Sequence, residues 1–213
     1  MLNNAQARNA ISGIVEPPAR FLLKIGVTPD MVTIVGALGA SLTAIILVPR
    51  GEFLLAVVIM AFLTISDLLD GTMARMRGTA GPWGNFLDST LDRVTDAAIF
   101  SSVLWWCVLN DEDLAAYATL VCLVAGVAIS YSKARAESVG ATANVGIMER
   151  AERLIVVGVA AILTGFGIGW AMPVLMSIMA VLSVVTVLQR FLVVRKQRLP
   201  GKVHGTGPAN GGA

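Results

Sequence analysis

Long apolar blocks separated by short polar segments divide this chain into a succession of helices, each block about as long as the roughly 20 residues a membrane-spanning helix needs. Phe21, Leu22 and Ile25 share one face of a short N-terminal segment while Arg20 and Lys24 share another, a pattern that predicts an amphipathic helix lying at the membrane surface. Thr28-Pro29-Asp30 then reads as a turn and N-terminal cap for a first span over about residues 31–48. After Pro49-Arg50-Gly51-Glu52, a tight connection, the second span begins near Phe53, runs through Asp67 and continues as a helix past Arg75. A glycine-rich loop over residues 78–84 leads to a third span at about residues 85–109. An acidic loop, Asn110-Asp111-Glu112-Asp113, precedes a fourth span at about residues 114–132, which runs on into Lys133-Ala-Arg135-Ala-Glu137. The fifth and sixth spans are predicted near residues 154–168 and 174–194, with Trp170 and Pro173 marking the turn between them. The fold expected is an all-α integral membrane protein of six transmembrane helices preceded by the surface helix. Residues 1–200 would form one membrane-embedded domain, and the glycine-rich residues 201–213 a disordered cytoplasmic tail.

Composition agrees. The chain has 213 residues, 56% of them hydrophobic and 14% charged, with a mean hydropathy of +0.77. A soluble domain carries about a quarter charged residues. The N-terminus, residues 1–10, is mostly polar and is expected to carry no cleavable signal peptide. With both termini cytoplasmic, fifteen of the sixteen Lys and Arg residues fall at the cytoplasmic side, and only Arg50 lies opposite, together with the Asp111–Asp113 cluster. That bias predicts a multi-pass protein of the plasma membrane with its cytoplasmic face at the end of the second span. Cys107 and Cys122 sit in apolar blocks as small buried hydrophobes. The one histidine, His204, lies in the tail, which argues against a Ser–His or Cys–His hydrolase.

Against this apolar background four aspartates stand out: Asp67 and Asp70 at the end of the second span, Asp88 and Asp92 at the start of the third. Spacings of three and four place each pair on one helix face. A carboxylate at bilayer depth costs roughly 2.5–3.5 kcal/mol on insertion scales, so four facing lipid would cost on the order of 10 kcal/mol. They must line a shared polar cavity, and an all-carboxylate cavity suits a hard divalent cation. Asp96 extends the same face by one more turn as a partner for a nearby cation.

The aspartates belong to a longer pattern, D-x2-D-G-x2-A-R-x8-G-x3-D-x3-D, which starts at Asp67 and is matched without a departure. This is the signature of the CDP-alcohol phosphotransferases, and the chain resembles that family over nearly its whole length. The resemblance implies transfer of a phosphatidyl or related group from a CDP-linked donor to an alcohol with release of CMP, dependence on Mg²⁺ or Mn²⁺, and a homodimer of six-helix bundles. It implies that Asp67, Asp70, Asp88 and Asp92 hold metal and that Asp92 is the general base for the incoming hydroxyl. Gly71 and Ala74 would let the cytidine or a phosphate approach the helix backbone, Arg75 would hold the pyrophosphate, and Gly84 would keep the opposite wall low. By the same resemblance Pro29, Asp30 and Thr33 border the cytidine pocket. Read without it, Gly71 and Ala74 suit close helix packing, and Thr28 to Thr33 an ordinary cap.

Lys133, Arg135, Arg153 and Arg190 form a second constellation at the cytoplasmic ends of spans. Snorkelling to lipid headgroups accounts for such positions in general. Here Lys133-Ala-Arg135 and Glu149-Arg-Ala-Glu-Arg153 flank one loop, and convergent basic side chains from different helices can chelate one phosphate. A phosphorylated acceptor is the simplest reading. The runs Ser130 to Glu137 and Glu149 to Arg153, with Gln189-Arg190, resemble the actinobacterial phosphatidylinositol phosphate synthases, in which CDP-diacylglycerol reacts with inositol 1-phosphate and the matching basic residues bind the acceptor phosphate. A phosphatidylglycerophosphate synthase using glycerol 3-phosphate is the alternative within the family. A cation-binding transporter is the alternative outside it, disfavoured because the spans away from the motif carry almost no charge.

Overall fold

The computed structural model describes residues 15–79 and 81–197, and the side chains of residues 65–68, Asp67 among them, lie outside that description. So do the polar N-terminus and the predicted tail with His204. The described chain is helical: α1 (residues 15–24), α2 (Pro29–Leu47), α3 (Phe53–Arg77), α4 (Pro82–Leu109), α5 (Asp113–Ser138), α6 (Arg150–Gly165) and α7 (Ala171–Lys196). No strand occurs among the described residues.

Local chemistry sets the helix ends. Thr28 Oγ1 accepts the Met31 amide at 3.3 Å and Pro29 takes the first helical position, as a helix start favours. A 3₁₀ turn, Val48–Arg50, and left-handed Gly51 (φ +77°) reverse the chain between α2 and α3. Gly78 ends α3 at φ +69°, its amide donating to the Ala74 and Arg75 carbonyls, so the glycine-rich connection is shorter than predicted and α4 starts at Pro82. Likewise α6 starts at Arg150 rather than near residue 154, which brings the Arg150–Arg153 run into helix.

Among the described residues four helices are long and apolar enough to cross a membrane: α2 with its 3₁₀ extension, α3, α5 and α7. Between them, α4 runs for 28 residues but carries Asp88, Asp92, Arg93 and Asp96 within its first fifteen, and α6 has 16 residues. Large apolar side chains such as Phe62, Val58, Val124 and Val181 lie more than half exposed, as lipid-facing positions would.

Within the bundle α2 packs on α3 and α4, α4 on α5, α5 on α7, and α6 on α7 and α3. Small residues let these backbones close up: Ala44, Ala56, Ala115, Ala118, Ala160 and Cys122 are buried around Phe100, Met172, Met176 and Met179.

Residues 139–149 form a loop pinned along α7. Gln197 meets Thr142 through both its amide and its carbonyl (2.9 and 2.6 Å), and Arg190 Nε donates to the Val145 carbonyl at 2.9 Å. Thr186 Oγ1 accepts the amides of Ile147 and Met148 at 3.2 and 3.0 Å. A Cβ at Gly146 (φ +148°) would collide with Thr186 Cγ2, so only glycine allows this approach. The loop delivers Glu149 and the first turn of α6 to the bundle end where α3, α5 and α7 finish and α2, α4 and α6 begin.

Candidate active site

Two cavities meet at that end. One, of about 220 Å³, lies between α2, α3, α4 and α6 and is walled by Gly36, Ala40, Met60, Leu63, Ile99 and Val157 among other apolar residues. Its polar lining comes from Thr33, Thr64, Asp88, Asp92, Thr95 and Arg150. The other, of about 720 Å³, opens between α4, α5, α6 and α7. Five cations line it (Arg93, Lys133, Arg150, Arg153 and Arg190) against two carboxylates, Glu137 and Glu149. Arg150 borders both.

Asp88 lies within electrostatic reach of both Asp70 and Asp92, so carboxylates from α3 and α4 converge as the spacing predicted. Asp70 is met by neutral donors, the Thr33 hydroxyl at 2.5 Å and the Gly71 amide. Neither Asp70 nor Asp88 forms an ion pair with a described residue. Asp92 differs: its Oδ1 takes Arg150 Nη2 at 2.8 Å, and Arg93 stands 3.8 Å from its Oδ2. Among the described residues no three acidic, histidine or cysteine side chains close around a metal. Asp92 is drawn to Arg150, and the Asp67 side chain is not among those described. The donor set nevertheless fits a hard divalent cation, because Asp70 and Asp88 are half-buried to exposed carboxylates without a cationic partner.

The remaining donor-side positions cluster around α2, α3 and the start of α4. Pro29 is buried, Asp30 accepts the Trp83 indole N–H at 2.9 Å, and Thr33 reaches Asp70. Gly71 and Ala74 are half-buried on α3. A Cβ at Gly71 would meet only the Arg75 guanidinium, at 3.6 Å, and one at Gly84 would meet nothing, so neither glycine is explained by crowded helix packing. Arg75 is exposed and donates to Thr72 Oγ1 at 3.0 Å.

On the basic side the structure brings Lys133, Arg153 and Arg190 to one cavity and leaves Arg135 outside it, exposed and bonded to Ser138 Oγ at 3.3 Å. Arg153 is 1% exposed and donates Nη2 to Asp96 Oδ2 at 3.0 Å, while its Nε and Nη1 have no partner among the described residues. Arg190, also buried, spends all three nitrogens on the Val145 and Ile129 carbonyls and on Glu149 Oε1 (2.9, 2.6 and 3.1 Å). Two lining arginines were not among the predicted site residues. Arg93 adjoins Asp92 and donates to Ser130 Oγ on α5; Arg150, three residues before Arg153, shares its helix face.

This chain is similar to several known proteins of one family. The family model described as CDP-alcohol phosphatidyltransferase matches residues 26–188. The phosphatidylinositol phosphate synthase of Streptomyces avermitilis is 42% identical over 202 residues, covering 91% of this chain and 83% of that protein. Its counterpart from Mycolicibacterium smegmatis is 41% identical over 208 residues, covering 96% and 93%. Crystal structures of the Mycobacterium tuberculosis phosphatidylinositol phosphate synthase superpose closely. One with CDP-DAG bound gives a TM-score of 0.83 at 41% identity, covering 90% of this chain and 98% of that one. One in complex with manganese and citrate gives 0.81 at 41% identity, covering 89% and 91%. With the unbroken aspartate signature carried on facing helices and a family match spanning most of its length, this chain belongs to the CDP-alcohol phosphatidyltransferase family.

Proposed function

We propose that the protein transfers the phosphatidyl group of CDP-diacylglycerol to inositol 1-phosphate, giving phosphatidylinositol phosphate and CMP. The observation that carries this reading is the junction of the two cavities. The Asp88–Asp92 face of α4 opens on one side to an apolar cavity suited to a lipid and borders, through Arg150, a cavity lined by five cations suited to a phosphorylated, water-soluble acceptor. Relatives more than 40% identical carry the same activity in their names.

In this reading the bundle crosses the plasma membrane six times, with α4 and α6 completing the set of long apolar helices and α1 lying on the cytoplasmic surface. Exposed Phe21 on α1 and Ile25 just after it would enter the lipid interface. The termini and both cavities face the cytoplasm, and the functional unit is a homodimer.

Asp67, Asp70, Asp88 and Asp92 would hold Mg²⁺ or Mn²⁺, which supplies neutralisation of the pyrophosphate and of the departing CMP. Pro29, Asp30, Thr33, Gly71, Ala74 and Gly84 border the cytidine, and Arg75 takes a pyrophosphate oxygen as a charged donor. Lys133 and Arg153 hold the acceptor's phosphate, Arg190 adds its charge from the cavity wall, and Arg135 contributes only from outside it. Asp92 accepts the proton of the inositol hydroxyl as that oxygen bonds to the β-phosphorus. The bond from that phosphorus to the CMP oxygen breaks in the same displacement.

The test is CMP release by the full-length protein with CDP-diacylglycerol and Mg²⁺, offering inositol 1-phosphate, free inositol and glycerol 3-phosphate in parallel. Turnover with inositol 1-phosphate alone is the expected result. Turnover with glycerol 3-phosphate would make the enzyme a phosphatidylglycerophosphate synthase, and preference for free inositol would remove the phosphate-binding role of the basic cavity.

A further inference from the structure

Asp96 lies outside the aspartate signature and is buried, 8% exposed, where α4 meets α5 and α6. Three arginines of the basic cavity converge on it. Arg153 Nη2 donates to Oδ2 at 3.0 Å, Arg150 Nε to Oδ1 at 3.1 Å, and Arg93 stands 3.9 Å from Oδ2. Arg150 also holds Asp92 through Nη2, so one guanidinium bridges two carboxylates one turn apart on α4. On its far side Arg153 lies flat against α5, where a Cβ at Gly126 would press its Cζ at 3.3 Å.

A buried guanidinium without a carboxylate carries a large desolvation penalty, and the neighbouring Arg93 and Arg150 add like-charge repulsion. Asp96 offsets both. Because it engages a single nitrogen of Arg153, Nε and Nη1 stay buried and unpartnered, available to an anion entering the cavity that Arg153 lines. A side chain with one fixed hydrogen bond and two free donors is oriented in advance, which lowers the cost of binding.

We propose that Asp96 is a positioning residue for the acceptor: it orients Arg153 so that its free donors meet the acceptor's phosphate. This rests on the reading that the basic cavity takes a phosphorylated acceptor.

The experiment measures KM for acceptor and donor, and kcat, with the full-length enzyme, Mg²⁺ and CDP-diacylglycerol. Wild type is compared with Asp96→Asn, Arg153→Gln and the double variant. Asp96→Asn is expected to raise the acceptor KM at least about tenfold, the change that roughly 1.4 kcal/mol of lost binding produces. The CDP-diacylglycerol KM should stay unchanged, and the double variant should be no worse than Arg153→Gln alone, because the two residues act as one unit. Equal rises in both KM values, a fall in kcat with both KM values unchanged, or additive effects in the double variant would each overturn the proposal. Should Asp96→Asn fail to fold, Gly126→Ala tests the same orientation by crowding the Arg153 guanidinium. A raised acceptor KM with an unchanged donor KM supports the proposal, and an unchanged acceptor KM refutes it. If wild type prefers glycerol 3-phosphate, the substrate assignment fails and the Asp96 comparison is run with that phosphate instead. If wild type takes only free inositol, both fail.

Discussion

Replacing Thr186 with valine keeps the shape of the side chain and removes its one oxygen. That oxygen accepts the amides of Ile147 and Met148 at 3.2 and 3.0 Å, and the Met148 side chain joins the core cluster that holds Met176 and Met179 of α7. Ile147 is 52% exposed, so water can replace its bond; Met148 is 6% exposed, and its amide would be left buried without an acceptor. An orphaned buried donor costs about 1–3 kcal/mol. If that cost falls on the closed state of the loop, its opening equilibrium rises roughly 5- to 150-fold. Hydrogen–deuterium exchange read on a peptide covering residues 143–152 reports this directly, because amides exchange from the open form. Thr186→Val should speed exchange there by a factor in that range while leaving the α2–α3 peptides unchanged. Since the loop delivers Glu149, Arg150 and Arg153 to the basic cavity, the acceptor KM should rise with it. Unchanged exchange at Ile147 and Met148 would show that the Gln197 and Arg190 contacts suffice to hold the loop, and the reasoning would fail.

Arg150→Gln removes the bridge between Asp92 and Asp96 and should lower kcat by about tenfold or more, the effect of some 1.4 kcal/mol lost at the reacting end. Arg150→Lys should not restore it, because an ammonium cannot present the Nε–Nη2 edge to two carboxylates, and equal rates for lysine and arginine would refute the bridge. Arg135→Gln should leave the acceptor KM near wild type, whereas Arg153→Gln should raise it, and parallel effects of the two would contradict the exclusion of Arg135 from the cavity. Chelation with EDTA should abolish CMP release and restoration of Mg²⁺ or Mn²⁺ should return it; turnover surviving chelation would remove the metal role of Asp70 and Asp88.

The aspartate face was legible in the sequence because its geometry is local. Residues three and four apart on a helix share a face whatever the helix packs against, and four carboxylates have no tolerable place in lipid. The start of α2 was legible for the same reason, since Thr28 and Pro29 act on their own neighbours. The helix ends at Pro82 and Arg150 were displaced by several residues, because polar helical turns at a bundle end carry no hydropathy contrast to mark them. Lys133 and Arg135 are two residues apart, about 200° around a helix, so they start from different faces of α5, and of the two only Lys133 lines the cavity.

The arginines show where such reading stops. An arginine at the cytoplasmic end of an apolar helix suits a lipid headgroup, a substrate phosphate, a carboxylate or a run of backbone carbonyls, and nothing local separates these. Arg190 and Arg153 look alike in sequence, yet Arg190 commits all its nitrogens to the 139–149 loop and to Ile129, while Arg153 commits one and keeps two. The difference arises from partners 41 to 61 residues away from Arg190 and 57 residues away from Arg153. It divides their chemistry as well. Arg190 already has its hydrogen bonds and contributes charge and loop order to the cavity, so its loss should first loosen the loop. Arg153 enters the cavity with donors unspent, so its loss should be felt first by the phosphate.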